Sequence, residues 1–331
     1  MPKVGIRLPS FLPNEGNTSP GEVFRYVRSI EELGYDSIFT IDHLQTAAPT
    51  YPVYWFDCLS MLSAVASVTK KVRFGPLVLV LPLYHPAWLA KSLATIDYLS
   101  NGRLIVGLGV GWSKAEFEAM GVPHSSRGKI MDESLEILRE LWTRDNVSFD
   151  GEFFKFHDLS IEPKPVQKPY PPLWIGGGNQ PFGKIYGMKV GDVTPALRRI
   201  ARYADGWSHH LSSTPEMISQ DWKVISRLAQ QFGRNSEEIE IIYSNFIFVV
   251  GRRTDYEKCE RALARITTLS FEEARKTYLI GTDEEIIGRL KRVPVATGRV
   301  DHIVLNPLSW DLEQIRTISD KIRAECKAND F

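Results

Sequence analysis

Short runs of Val, Ile and Leu alternate along the chain with segments whose apolar residues recur every three or four positions. That alternation predicts strand–helix units. Val4–Leu8 is a first strand and Gly21–Leu33 a helix. The helix opens on Ser19-Pro20-Gly21-Glu22, a serine cap, a proline in the first turn and a glutamate that closes a capping box. Asp36–Ile41 is a second strand, ending in Asp42-His43, and Asp57–Val68 is helical. Val72–Leu81 is a third strand, apolar on both faces as a parallel sheet requires. His85–Leu99 is a helix opened by Pro86, with His85 as its cap; Arg103–Leu108 is a fourth strand and Ile130–Trp142 a helix.

The alternation breaks at Val147–Pro172, where Asp150-Gly151, four phenylalanines and five prolines predict a β-hairpin and an extended loop. It resumes with a strand at Leu173–Ile175, a helix at Pro195–Tyr203 capped by Thr194, and a short strand at Gly206–His209. A helix capped by Thr214 runs to about Gln231, and Ile239–Val250 is a seventh strand. A long helical region follows, with a second capping box at Thr282–Glu285. Val300–Leu305 is an eighth strand and Asp311–Lys327 the last helix. Eight such units predict a single α/β domain over residues 1–331, a closed (β/α)8 TIM barrel with insertions at about 147–172, before strand five, and about 178–193. A doubly wound open sheet is the alternative. Strand one runs into Pro9-Ser10-Phe11-Leu12 without a G-x-G-x-x-G fingerprint, which disfavours a dinucleotide-binding domain.

Composition narrows the class. Apolar residues make up 43% and charged residues 24%, enough for a large core. Lys+Arg and Asp+Glu are equal at 40 each, so no electrostatic footprint points to nucleic acid or an anionic membrane. Met1–Arg7 lacks a signal pattern, and the apolar stretch Val72–Leu83 is too short to span a bilayer. Cys58, Cys259 and Cys326 have no metal-type spacing. A cytoplasmic enzyme acting on a small molecule is the expectation.

In a βα barrel, chemistry sits at the carboxyl ends of the strands. That rule selects Pro9–Leu12, Asp42-His43, Val78–Tyr84, Gly109–Trp112, Gly176–Asn179, His209-His210 and Asn306. Strand one offers no His-x-His, and adjacent histidines on a strand face opposite ways, so no metal site is expected. Gly107, Gly109 and Gly111 permit either a flat ligand or tight packing at a barrel corner. Gly176-Gly177-Gly178, followed by the helix after Thr194, makes a candidate phosphate cradle.

Taken in order, several segments resemble the bacterial luciferase-like family of flavin- and F420-dependent oxidoreductases. They are Glu32–Ile38 leading to Asp42-His43-Leu44, Leu81–Pro86, Leu99–Arg103, Val106–Trp112, the run from Glu116 through Gly121-Val122-Pro123 to Arg127-Gly128, Glu162–Gln167, Pro172–Gly177 and Arg202–Trp207. The likeness covers nearly the whole chain and is nearest to the F420-dependent branch. It implies that Asp42 and His43 contact a deazaflavin ring, and that a bulge near Val78-Leu79, often a non-proline cis peptide, backs the ring. It places Val110, Gly111 and Trp112 along the cofactor, and the phosphate at Gly176, Gly177, Gly178 and Thr194. His43, Asp42 and Trp112 are the catalytic candidates. Coenzyme F420 is the implied cofactor, with FMN as the alternative; a homodimer and, for reduced flavin, a separate reductase follow from the same resemblance. A non-catalytic flavin-binding relative is a further alternative.

Two departures stand out. Residues 178–193 intervene before Thr194, with Lys184 and Lys189 read as solvated. Trp112 also stands where F420-dependent sugar-phosphate dehydrogenases carry an acid, which disfavours that activity. Arg127 is read as an ion-pair partner of Asp132 or Glu133, and the rim aromatics Phe11, Tyr51, Tyr54, Trp55 and Trp112 as facing a mainly apolar substrate.

Overall fold

A computed structural model describes residues 1–11, 19–46, 52–181 and 191–328. Tyr51, Lys184 and Lys189 lie outside these residues. Eight parallel strands form the barrel: Lys3–Arg7, Ser37–Thr40, a split third strand (Arg73–Pro76 and Leu79–Val80), Val106–Gly109, Leu173–Gly176, Gly206–Ser208, Glu240–Val249 and His302–Pro307. Hydrogen bonds from Phe74 N to Arg103 O (3.2 Å) and from Ile105 N to Phe74 O (2.8 Å) join the third and fourth strands and close the ring. The open-sheet alternative is thereby set aside.

Local chemistry accounts for the element ends. Ser19 and Glu22 form the capping box of the Pro20–Glu32 helix, and Thr282 and Glu285 that of Asp283–Leu290. Thr214 caps Pro215–Gln231 by accepting from Met217 N. Val147–Asp150 and Lys155–Leu159 pair antiparallel across the Asp150-Gly151 turn, as the aromatic alternation predicts. Glu133 fastens this hairpin by accepting the N–H groups of Glu152, Phe153 and Phe154.

The lumen is filled. Phe39, Leu77, Ile105, Trp174, Ile242 and Val304 form an inner cluster, with the His302 ring edge-on to Phe39 and Trp174. Cβ atoms on Gly5 or Gly107 would strike Ser37 Oγ or the Pro76 carbonyl, so glycine at both places lets the inner layer close. A separate apolar cluster, including Phe246, Leu263, Tyr278 and Leu308, packs over the strand-seven end. Any ligand site must lie above this packed floor, at the strands' carboxyl ends.

The structure corrects several expectations. Val72–Leu81 is not one strand: it breaks at a cis Leu77–Val78 bond, one bond before the expected position, and turns into a 3-10 turn at Leu81–Leu83. A short strand, Leu279–Gly281, interrupts the long helical region and pairs with Ile247–Val249. Residue 194 is the first residue of its helix and makes no side-chain cap; instead Asp192 Oδ1 accepts from Thr194 N at 2.9 Å. His85 occupies a cap position without a side-chain bond. Arg127 donates to the His124 carbonyl (2.8 Å), whereas Asp132 pairs with Arg199 at 2.6 Å. No described helix is long and apolar enough to cross a membrane.

Candidate active site at the barrel mouth

A cavity of about 250 Å³ opens where the rim segments predicted on strands two to six converge, bounded by Asp42, His43, Val78, Val110, Gly111 and Trp112 on one side and by Gly176, Gly177, Ser208 and His210 further round. Pro9 and Asn306, predicted on the same rim, border an adjoining recess instead. The floor of the cavity is Val78, the residue after the cis bond. A Cβ on Gly109 would lie 2.4 Å from Val78 Cγ2, and one on Gly176 2.9 Å from Val78 Cγ1. Glycine at both positions therefore lets Val78 span strands four and five and present a flat apolar shelf. Gly111, at φ +75°, adopts a backbone that favours glycine and turns the chain toward Trp112.

Asp42 borders the cavity with both of its carboxylate oxygens already engaged. Its Oδ2 accepts from Val80 N and its Oδ1 from the Tyr84 hydroxyl, both at 2.9 Å. It thus ties the end of strand two to the backbone just past the cis bond. Burial pushes its carboxyl above the usual range against the pull of those two bonds and of His43.

His43 is nearly as buried, with 11% of its side chain exposed. Its Nδ1 lies 3.1 Å from Glu116 Oε1, and the same oxygen accepts from Leu44 N at 2.7 Å. Glu116 comes from the first turn of the Lys114–Ala119 helix and is 2% exposed. Burial alone would raise its carboxyl; bonds from His43, Leu44 and Gln45 more than reverse that and hold it below the usual range. An ionised carboxylate only accepts, so Nδ1 is the donor of this pair, and on a neutral ring that leaves Nε2 as the acceptor of a side chain that borders the cavity. Trp55 packs 4.7 Å from the ring and Trp112 meets it edge-on at 6.0 Å. Glu116 stands within a quoted motif, but nothing in the sequence assigns it this role. The signal was a carboxylate four residues past Trp112, in the first turn after a glycine-rich strand end.

The triple glycine is not an open anion nest. Gly177 N donates to Ser208 O (3.1 Å) and Asn179 N to Asp221 Oδ2 (2.6 Å). A Cβ on Gly178 would lie 2.5 Å from Asp221 Oδ2, so the glycine accommodates a carboxylate. Gly176 and Gly177 line the cavity; Gly178, Leu79 and the exposed Thr194 do not. Gln180 borders the cavity, and its buried Oε1 has no partner, an orphan that a ligand N–H fits.

The adjacent histidines have different partners. His209 Nδ1 donates to His210 O (2.8 Å), and its ring lies beside Trp207 and Tyr243. Both histidines border the cavity, His209 with Nδ1 bound to the His210 carbonyl and His210 with Nδ1 at 2.6 Å from Ser212 Oγ. Burial, then His209 and Arg7, push its pKa down to about 3; burial takes His209 to about 4. Both rings stay neutral at ordinary pH. Phe11 and Tyr54 pair in an antiparallel bridge, leaving Trp55 and Trp112 as the described rim aromatics that line the cavity. Among the described residues no group of three or more metal-type ligands occurs.

The closed barrel with a polar-edged, flat-floored cavity at its carboxyl end is the frame of an α/β-barrel oxidoreductase. Residues 3–278 match the luciferase-like monooxygenase family, and the chain belongs to it. It is 40% identical over 147 residues to an uncharacterized protein of Mycobacterium tuberculosis (44% of this chain, 47% of that one). It is 37% identical over 221 residues to an FMNH2-dependent dimethylsulfone monooxygenase of Pseudomonas putida (66% of this chain, 55% of that one). The chain thus spans about half the length of these two relatives. An F420-dependent glucose-6-phosphate dehydrogenase of Amycolatopsis mediterranei is 26% identical over 312 residues, covering 90% and 92% of the two chains. An F420-dependent secondary alcohol dehydrogenase solved with an F420–acetone adduct superposes with a TM-score of 0.80 at 19% identity, covering 98% and 99%, a likeness of fold.

Proposed function

We propose that the chain is an oxidoreductase that holds coenzyme F420 against the Val78 shelf and exchanges a hydride with a small organic substrate. The observation that carries this is the pairing of the flat Val78–Gly109–Gly176 floor with a histidine whose proton position is fixed by a buried carboxylate. The residues present fit such a ring: a flat apolar support, an orphaned amide oxygen at Gln180, and glycines along the edge. When bound, the deazaflavin supplies the two-electron chemistry. The protein's residues do the rest. Val78, Gly111 and Gly177 support the ring, Trp55 and Trp112 flank His43, and His43 Nε2 takes or returns the proton that accompanies hydride transfer. Asp42 acts through the strand-three backbone.

A second possibility is a monooxygenase using reduced FMN supplied by a separate reductase. The 37% identity to the FMNH2-dependent relative favours it, and the same shelf serves a flavin. Titration of the purified protein with F420 and with FMN, each oxidised and reduced, followed by cofactor and tryptophan fluorescence, separates the two. Micromolar F420 binding without FMN binding supports the first; FMN binding alone replaces it with the second; binding of neither refutes both.

A further inference from the structure

The loop that follows strand five is fastened to a helix on the outside of the barrel. Asn179 gives two donors to one carboxylate: its backbone N donates to Asp221 Oδ2 at 2.6 Å, and its side-chain Nδ2 donates to Asp221 Oδ1. Asp221 lies in the Pro215–Gln231 helix and is 1% exposed. A third bond closes on the same residue, from Ser213 Oγ to Asn179 O at 2.7 Å. Just before it, Trp207 Nε1 donates to Gly177 O at 2.7 Å. Backbone and side chain of this loop are therefore tied to strand six and to the helix after it.

Gln180 is the next residue, and it borders the cavity. Its Oε1 is buried and has no partner. His209, from the adjacent strand end, also borders the cavity, and its Nε2 is likewise buried without a partner. Since His209 Nδ1 donates to a carbonyl, Nε2 of the neutral ring is an acceptor too. The strand-five and strand-six side of the mouth thus offers acceptors that lack donors, and a ligand group that donates relieves that cost. Gly176 and Gly177, in the same loop, border the cavity beside Val78.

We infer that Gln180 accepts from the hydrogen-donating edge of the redox ring, and that Asp221, which does not border the cavity, is the positioning residue that sets Gln180. This rests on the proposal above that a flavin-type ring lies on Val78. F420 and FMN share a pyrimidinedione with one imide N–H between two carbonyls, and that N–H is the group assigned to Gln180 Oε1. An apolar shelf supports a ring without fixing its rotation in the plane; a directional bond at the edge does fix it.

Fluorescence titration with F420 and FMN measures affinity, and 15N–1H correlation of the oxidised, 15N-labelled cofactor on unlabelled protein reads the imide proton without any turnover. In the parent the imide N–H is protected from exchange with water. Gln180→Met loses that protection and binds about tenfold more weakly; Gln180→Glu, which keeps an acceptor, retains the protection. Asp221→Ala loses it with Gln180 intact, and Asp221→Asn, which can still accept from Asn179 N, restores it. Circular dichroism checks folding; if Asp221→Ala does not fold, Asn179→Ala removes the side-chain half of the latch and carries the same comparison. An imide proton that exchanges freely in the bound parent, or stays protected in Gln180→Met, overturns the Gln180 assignment and leaves the ring proposal standing. Protection unchanged in Asp221→Ala, whatever its stability, overturns the positioning role. Binding of neither cofactor by the parent removes the ring proposal and this inference with it.

Discussion

Replacing Glu116 separates the two tasks its carboxylate performs. One oxygen accepts from Leu44 N at 2.7 Å, and the carboxylate accepts from His43 Nδ1 at 3.1 Å, in a side chain only 2% exposed. Glu116→Ala leaves both donors without an acceptor. At about 2 kcal/mol for each unsatisfied donor, the loss of stability is about 4 kcal/mol. Glu116→Gln behaves differently. Its carbonyl oxygen still serves Leu44 N, while its amide group takes the place of Oε2, 3.2 Å from His43 Nδ1, and offers that nitrogen an N–H. Accepting it moves the neutral ring's proton to Nε2. Stability falls by only about 1 kcal/mol, while the face that His43 shows the cavity changes from acceptor to donor. A proton-transfer role then predicts turnover lower by about 100-fold. Urea unfolding measures the first quantity. Long-range 15N–1H correlation of the His43 ring, at about pH 8.5 where a free imidazole is neutral, reads the tautomer without any substrate. An Nδ1–H tautomer persisting in Glu116→Gln, or an alanine variant within about 1 kcal/mol of the parent, refutes the assignment.

Asp42 gives a pH-dependent counterpart. Burial raises its carboxyl above the unfolded value of about 3.9, so the folded chain keeps a proton that the unfolded chain has released. Stability from this group is therefore full below the unfolded value and declines as pH rises through the raised one. An asparagine side chain at this position would keep both bonds, its oxygen to Val80 N and its amide to a reoriented Tyr84 hydroxyl; denaturation midpoints should shift in favour of Asp42→Asn as pH rises above about 4, and a constant difference would count against the raised carboxyl. Gly109→Ala puts a Cβ 2.4 Å from Val78 Cγ2, so it should cost about 1–3 kcal/mol and weaken cofactor binding by displacing the shelf; unaltered affinity in fluorescence titration would show that Val78 is not the support. His43→Ala should lower turnover more than it lowers cofactor affinity, since Val78 and Gly177 still hold the ring; unchanged turnover would remove His43 from proton transfer.

What could be read from the chain divides by range. Ser19 with Glu22, Thr214, and Thr282 with Glu285 act within one helical turn, so their spacing alone specifies the helix starts that the structure contains. The eight strands were legible because each buried segment must be apolar on both faces. The break at Leu77–Val78 was not legible from hydrophobicity, since Val72–Leu81 is equally apolar on either side of it. Its cause lies elsewhere in the chain: Asp42 accepts from Val80 N, and Gly109 and Gly176 make room for Val78. The resemblance placed the break one bond late.

Glycine and charge are ambiguous in sequence for a related reason. A run such as Gly176-Gly177-Gly178 satisfies two needs equally, an anion that wants N–H groups or a neighbour that wants space. Asp221, far along the chain from Gly178, decides for space there, and Ser208 takes the Gly177 N–H. His43 and Glu116 are likewise brought together across 73 positions by the closure of strand two onto strand four's loop. Arg7 is the opposite case. A glycine at position 5 within a buried strand already signals a crowded lumen, and alternation carries position 7 to that same side.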